Sequence, residues 1–326
     1  MNKIRKLTVV LLIAVCVVAL NACKKKASEL SMINIAYFPN ITHAQALVMK
    51  GEGRLEKKLD GIPVKWIAFN AGPSEIEALF AGKIDIGYVG PVPAISGYVQ
   101  SGGDLKIISG VTNGGSVLIA RNGLNINSAA DLDGKNVAVP QFGNTQHLSL
   151  LSLLTANGLV PTSNGGTVNV IQCSNANIAG LMDQGQIDAA LVPEPWGSIL
   201  EIRHNATVVL DYDKIDANGI PSTAVVIVRK DFLDNHKDIV EKFIETHKEV
   251  TAYINENDVK EIINAEISEV TQSTIDDDIL KKALGRLEIT YAIPKSSIMD
   301  FAAISLKENF ISKSPDEEII YGNFVK

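Results

Sequence analysis

Cysteine is nearly absent from this 326-residue chain: there are three, Cys16, Cys23 and Cys173. The first lies in an apolar leader and the second at its end, so only Cys173 is left for the folded part and no disulfide can form within it. No Cys-x-x-Cys pair, metal-spaced cysteine set or His-Glu-x-x-His is present, so no metal or cofactor is expected. Also missing are a Gly-x-Ser-x-Gly elbow, a P-loop and a Gly-x-Gly-x-x-Gly opening a helix. Nothing marks an enzyme. Basic charge is short as well: 30 Lys and Arg stand against 37 Asp and Glu. An acidic chain of this kind is not expected to bind nucleic acid. Apolar runs long enough to span a bilayer are lacking too; the longest, Leu7–Leu20, has 14 residues.

That run follows Lys3, Arg5 and Lys6 and reads as an export signal over residues 1–22. It ends in Leu20-Asn21-Ala22-Cys23, which resembles the lipobox of bacterial lipoproteins. The resemblance implies lipidation at Cys23, a tether over 23–32 containing Lys24-Lys25-Lys26, and a cell-membrane location on the extracytoplasmic face. The signal carries three basic and no acidic residues, so without it the net charge is −10 rather than −7.

From Ile33 onward, short β-rich runs alternate with longer amphipathic ones: Ile33–Tyr37 then Ala44–Leu59, Val64–Phe69 then Glu75–Ala81, Ile84–Val89 then Pro93–Gln100. This is an α/β pattern with a mostly parallel sheet flanked by helices. A polar break at Asn122–Ser128 precedes a second such block, and the β-branched run Thr223–Arg229 leads into a tail read as all helix. The expected organisation is lobe I over 33–121 and 224–326 and lobe II over 122–223. Two segments support an internal repeat at an offset of 103 residues: Gly82-Lys83-Ile84-Asp85 with Gly185-Gln186-Ile187-Asp188, and Ile35–Thr42 with Ala138–Thr145. Two such lobes can face each other across a ligand cleft.

The stretch Val139–His147 focuses the functional reading. A strand runs into a turn and straight into the apolar run Leu148–Leu154, with Asn144 or Thr145 placed to cap the helix. Free N–H groups and the positive dipole end at such a start attract anions. The loops after the other strands hold Gly, Pro, Asn, Gln, Ser and Thr, but neither Lys nor Arg. A phosphate ester usually calls for basic side chains. A singly charged oxyanion such as a sulfonate or nitrate can be held by backbone and amide groups, and a neutral polar ligand can be held the same way. His43 and Trp196 are candidate contacts, and Glu194 is a candidate partner for a ligand amine.

Several segments carry a family resemblance: Ala36–Ala44 (AYFPNITHA), Phe69–Ser74 (FNAGPS), Ile84–Pro91 (IDIGYVGP), Pro140–Thr145 and Val192–Trp196 (VPEPW). The sequence resembles the substrate-binding lipoproteins of ABC importers in the aliphatic sulfonate, taurine and nitrate family, over about Ile33–Ile311. The resemblance implies a two-lobed type II periplasmic-binding-protein fold joined by two crossing strands, Val117–Arg121 and Ala224–Arg229. It also implies a monomer that closes on a small anion and delivers it to an ABC permease. Ligand contacts are then expected from Asn40, Thr42, His43, Gly72, Ser74, Gly90, Pro91, Asn113, Gly114, Gln141, Phe142, Gly143, Asn144, Thr145, Gln146, Glu194 and Trp196. A thiamine-related pyrimidine is the alternative ligand. Enzymes or sensors on this scaffold are the remoter alternative, and the enzymes among them carry a cysteine-rich motif that this chain lacks.

Overall fold

The computed structural model describes residues 30–325, so the signal segment, Cys23 and most of the tether lie outside the described residues. Alternation of strand and helix runs through the first half of the fold. The elements are β1 (Ile33–Tyr37), α1 (Ala44–Gly51), α2 (Arg54–Lys58), β2 (Val64–Ala68), α3 (Gly72–Phe80), β3 (Ile86–Val89), α4 (Pro91–Ser101), β4 (Leu105–Gly114) and β5 (Ser116–Ala120). The second block holds β6 (Asn136–Val139), α5 (Thr145–Ala156), β7 (Asn169–Gln172), α6 (Asn175–Asp183), β8 (Ala189–Pro193), α7 (Trp196–Arg203) and β9 (Thr207–Leu210). The return consists of β10 (Ser222–Arg229), α8 (Lys230–Asn235), α9 (Lys237–Glu256), α10 (Lys260–Thr271), α11 (Asp277–Leu284), β11 (Leu287–Ile289) and α12 (Lys295–Lys307). Among the described residues no helix is long and apolar enough to cross a membrane.

The strands form two sheets, ordered β11-β4-β10-β3-β1-β2 and β7-β6-β8-β5-β9. In each sheet three strands are parallel and the strands that cross between blocks are antiparallel to them. Helices pack on these sheets over buried aliphatic cores, such as Ile76, Leu79, Ile95 and Ile227 in the first and Leu118, Val137, Leu150 and Leu191 in the second.

Sheet membership moves the expected boundary. Ser116–Ala120 pairs with β8 and β9, not with the first sheet, so the chain crosses at Gly114-Gly115 and returns between β9 and β10. Both glycines have left-handed φ, 73° and 72°. A Cβ on Gly115 would stand 2.2 Å from Leu287 Cδ2, so the crossing needs glycine twice over. The tail is not all helix: β11 adds an edge strand to the first sheet. The helix expected over Ala44–Leu59 breaks at Gly53, which is left-handed at φ 58°.

The internal repeat has a physical basis. Gly82 and Gly185 are left-handed where the helices end. Asp85 then accepts the Asn34 N–H (2.8 Å) at the start of β1 and pairs with Arg229 (3.0 Å). Asp188 likewise accepts the Asn136 N–H (3.0 Å) and pairs with Arg121 (3.2 Å). The offset is not constant, however. It is 102 from Asn34 to Asn136, 103 from Asp85 to Asp188 and 104 from the cap Asn40 to the cap Asn144. The loop after the first strand is therefore two residues longer in lobe II.

Candidate functional site: an interlobe cavity at helix starts

Strand ends place the site. The loops after β1, β2, β3, β6, β7 and β8 and the start of β10 meet around an inner cavity of about 30 Å³. Its lining is Phe38, Asn40, Thr42, His43, Asn70, Ala71, Gly72, Gly90, Pro93, Pro140, Asn144, Thr145, Gln146, Asn175, Pro193 and Thr223. None of these bears a formal charge, because burial pushes the His43 pKa down to about 3. Three helices begin on this wall, α3 at Gly72, α5 at Thr145 and α6 at Asn175, and each turns the positive end of its dipole toward the cavity.

The loop after β1 is held by its own side chains. Asn40 Oδ1 accepts the Thr42 N–H (3.1 Å) and the Thr42 hydroxyl. His43 Nδ1 accepts the Phe38 N–H (3.0 Å), and its ring stacks on Phe38 at 4.5 Å between centroids. A neutral imidazole that accepts at Nδ1 carries its proton on Nε2, so His43 is a donor. Across the cleft, Asn144 Oδ1 caps α5 through the His147 N–H (2.8 Å), and Gln146 Nε2 donates to Ser116 Oγ (3.0 Å). Thr145 Oγ1 and Asn175 Oδ1 are buried with no protein partner. These two atoms leave hydrogen-bonding capacity on the cavity wall that no protein group meets, and such groups are costly to bury. The lobes touch here: a Cβ on Gly90 would lie 2.3 Å from Thr145 Oγ1, and one on Gly143 would lie 3.6 Å from Pro73.

An outer chamber of about 740 Å³ shares Phe38, Asn40, Asn70, Ala71, Pro140 and Asn175 with the inner cavity. It extends past Ser74, Gln141, Gln172 and Trp196 to Arg203 and His204, and is closed by Ile267–Ile275 from the C-terminal region. The strand-end loops bring no Lys or Arg to either chamber; the basic side chain that reaches the outer one, Arg203, comes from a helix end.

Of the expected contacts, Asn40, Thr42, His43, Gly72, Gly90, Asn144, Thr145 and Gln146 line the inner cavity, and Ser74, Gln141 and Trp196 line the outer chamber. Six line neither. Phe142 gives its N–H to Gln172 Oε1 (2.9 Å) and Gly143 gives its own to His147 Nδ1 (3.1 Å), so neither donor is free. Pro91 has no N–H to give. Asn113 bonds Glu288 (3.1 Å), and the Gly114 N–H bonds Pro221 O (2.8 Å) at the crossing. Glu194 is the largest correction. It is fully buried, accepts from Ser198 N–H (2.9 Å) and Ser198 Oγ (3.0 Å), and pairs with Arg286 (2.7 Å), whose other nitrogens reach Glu201 and Asp211. That carboxylate ties the C-terminal region to lobe II and is closed to ligand. Asn175 escaped the residue-level expectation, although Gly72 shifted by the 103 offset lands on it. Thr223, whose hydroxyl bonds Gly114 O at the start of a crossing strand, had no sequence signal. Among the described residues no cluster of metal-ligating side chains occurs.

Two α/β lobes closing on a cavity at their strand ends define the class of periplasmic solute-binding folds. The chain belongs to the NMT1-like family, whose profile matches residues 26–268. It is 28% identical over 218 residues to the taurine-binding periplasmic protein of Escherichia coli, a match covering 67% of this chain and 65% of that protein. Its fold resembles the alkanesulfonate-binding protein SsuA of Xanthomonas axonopodis pv. citri, solved bound to MOPS, at TM-score 0.73 and 19% identity, covering 89% of this chain and 96% of that one. It also resembles the periplasmic nitrate-binding protein NrtA of Synechocystis PCC 6803, at TM-score 0.69 and 15% identity, with coverage of 88% and 84%.

Proposed function

We propose that the protein is the extracytoplasmic solute-binding component of an ABC importer, anchored by a lipid on Cys23, that captures a small organic monoanion of the sulfonate type. The observation that carries this reading is the inner cavity: three helix starts and the unpartnered Thr145 hydroxyl converge there, and no charged side chain lines it. Helix dipoles and neutral donors suit a weakly basic, singly charged head group, whereas a phosphate ester would lack its counter-ions. The binding-protein relatives, one for taurine and one for alkanesulfonates, support the same ligand chemistry and an extracytoplasmic place. Contacts from both lobes favour the closed form, and closure is the signal a permease would read.

Thermal-shift measurements with methanesulfonate, nitrate and phosphate test this. A ligand at about a hundred times its dissociation constant adds roughly 2.7 kcal/mol of stability. Methanesulfonate or nitrate should raise Tm and phosphate should not. A phosphate response with no response to the monoanions overturns the reading. Lipidation is tested separately: Cys23→Ser should release the protein from the membrane fraction.

A further inference from the structure

The outer chamber differs in chemistry from the inner cavity and bears on the part of the ligand beyond its anionic head. One side is formed by Trp196, Ile199 and Leu200 of α7, the other by Ile267, Val270 and Ile275 at the end of α10 and beyond. No aspartate or glutamate lines either chamber. Among the acidic residues that adjoin the lining in sequence, Glu194 is occupied by Arg286 and Ser198, Asp276 is paired with Arg203, and Glu75 is fully buried against Gly87 of β3. The ionisable groups that do line the outer chamber are already paired: Arg203 with Asp276 through Nε (3.1 Å) and Nη2 (2.9 Å), and His204 with Asp183 (3.0 Å). The chamber thus offers apolar surface and amides to a tail but no counter-charge of either sign. An ammonium placed there would lose its hydration without a carboxylate in return. At about 740 Å³ the chamber is in the range that takes ring-bearing organic molecules.

Resting on the anion reading above, we propose that the ligand is an organosulfonate with a bulky uncharged tail, aromatic or long-chain, and that Trp196 on α7 sets this preference. The sulfonate occupies the inner cavity and the tail lies along α7 under the Ile267–Ile275 segment. Taurine, which ends in an ammonium, and nitrate, which has no tail, bind more weakly than a tailed sulfonate on this account. In this respect the chain departs from its taurine-binding relative.

Calorimetric titration of the full-length protein in detergent, with four probes, tests the proposal. 1-Propanesulfonate, in which a methyl replaces the taurine ammonium, should bind at least about tenfold more tightly than taurine. 2-Phenylethanesulfonate should exceed methanesulfonate by about tenfold or more, as burial of several apolar carbons implies. Trp196→Ala should reduce the affinity for 2-phenylethanesulfonate at least about fivefold more than that for methanesulfonate, and Trp196→Phe should restore most of the difference. Taurine binding as tightly as 1-propanesulfonate, or a flat series from methyl to phenylethyl, overturns the tail assignment while leaving the anion site standing. If no sulfonate binds at all, both readings fall.

Discussion

The two lobes carry the same parts and use them differently. Phe38–His43 and Phe142–His147 share the pattern Phe-x-Asn-x-x-His. In both, the asparagine caps the following turn or helix and the histidine accepts a backbone N–H from its own loop while packing on the phenylalanine. Only His43 reaches the cavity; His147 is sandwiched between Phe142 and Phe310. α3 and α6 correspond just as closely, from Gly72 and Asn175 at the cavity to Phe80 and Asp183. Yet Glu75 stands where α6 has Ile178, and Gly87 of β3 stands where β8 has Ala190. The common features are those that hold a loop still. The differences mark where one lobe has been given a separate task or carries a strain the other avoids.

Gly90 is the sharpest of these differences, because its counterpart at the same offset is Pro193. Its φ of −66° would accept any side chain, so the obstacle to one is the other lobe: the Cβ position lies 2.3 Å from Thr145 Oγ1. Gly90→Val should hold the lobes apart and weaken ligand binding by about a hundredfold, a coupling of roughly 2.7 kcal/mol. The unliganded protein should melt within a few degrees of wild type, measured by calorimetry alongside the titration. Undiminished affinity would show that the Gly90–Thr145 contact is not part of the liganded state.

The Glu75 pair comes next in size. Both carboxyl oxygens are buried without a partner, and burial holds the pKa well above the usual 4.5. The room for that side chain comes from Gly87, where a Cβ would lie 2.1 Å from Glu75 Oε1. The folded state keeps a proton that the unfolded chain releases, so stability is full below pH 4.5 and falls as pH rises through the folded pKa. Glu75→Ile, which copies lobe II, should remove that slope and add roughly 1–3 kcal/mol at pH 8. Gly87→Ala alone should cost a similar amount through overpacking. The double substitution should cost clearly less than the sum of the two single effects predicts. Additive effects in denaturant titrations would mean that the two positions do not share the space.

Much of the fold was legible because it is built from local periodicity: every strand of the first parallel set and every cavity-facing helix appears as an alternation of short β-branched and longer amphipathic runs. What escaped depends on distant partners. β11 is three residues long and exists only because β4 offers an edge. Glu194 sits on a strand-end loop rich in proline and invited a ligand role. The side chain that closes it off, Arg286, is 92 residues away. Nothing in the VPEPW segment reveals that partner. Asn144 was legible as one of two candidate caps for α5 because a cap acts within three residues of itself, whereas the cap at Asn40 was not read.

Those caps set the next smaller effect. Asn40→Ala and Asn144→Ala each remove an acceptor from a loop N–H and should cost about 1 kcal/mol of stability, with binding weakened in addition because the cavity wall loosens. The losses should be nearly equal if the two hexapeptides play the same structural part. A loss at one site alone would break the equivalence of the lobes.

The smallest effect expected is a null one, and it separates the two histidines by role. Burial lowers the pKa of His43 to about 3 and that of His147 to about 4, so both are neutral throughout the physiological range. Each contributes stability above the unfolded value of 6.5 that is lost as pH falls through the folded pKa, a slope opposite in sign to that from Glu75. Ligand affinity follows a different rule. If His43 bound the anion as a cation, binding would take up a proton, because the free imidazole is neutral, and affinity would rise about tenfold for each unit the pH is lowered between the imidazole pKa in the complex and the free value of about 3. A neutral Nε2–H donor takes up none. Sulfonate affinity should therefore be constant to within about twofold from pH 5.5 to 8.5. His43→Gln, which keeps an uncharged donor, should bind more tightly than His43→Leu, whereas the same pair of substitutions at His147 should not differ in affinity. A rise in affinity on acidification would place a protonated imidazole in the cavity, and the case for a site built from dipoles and neutral donors would fail with it.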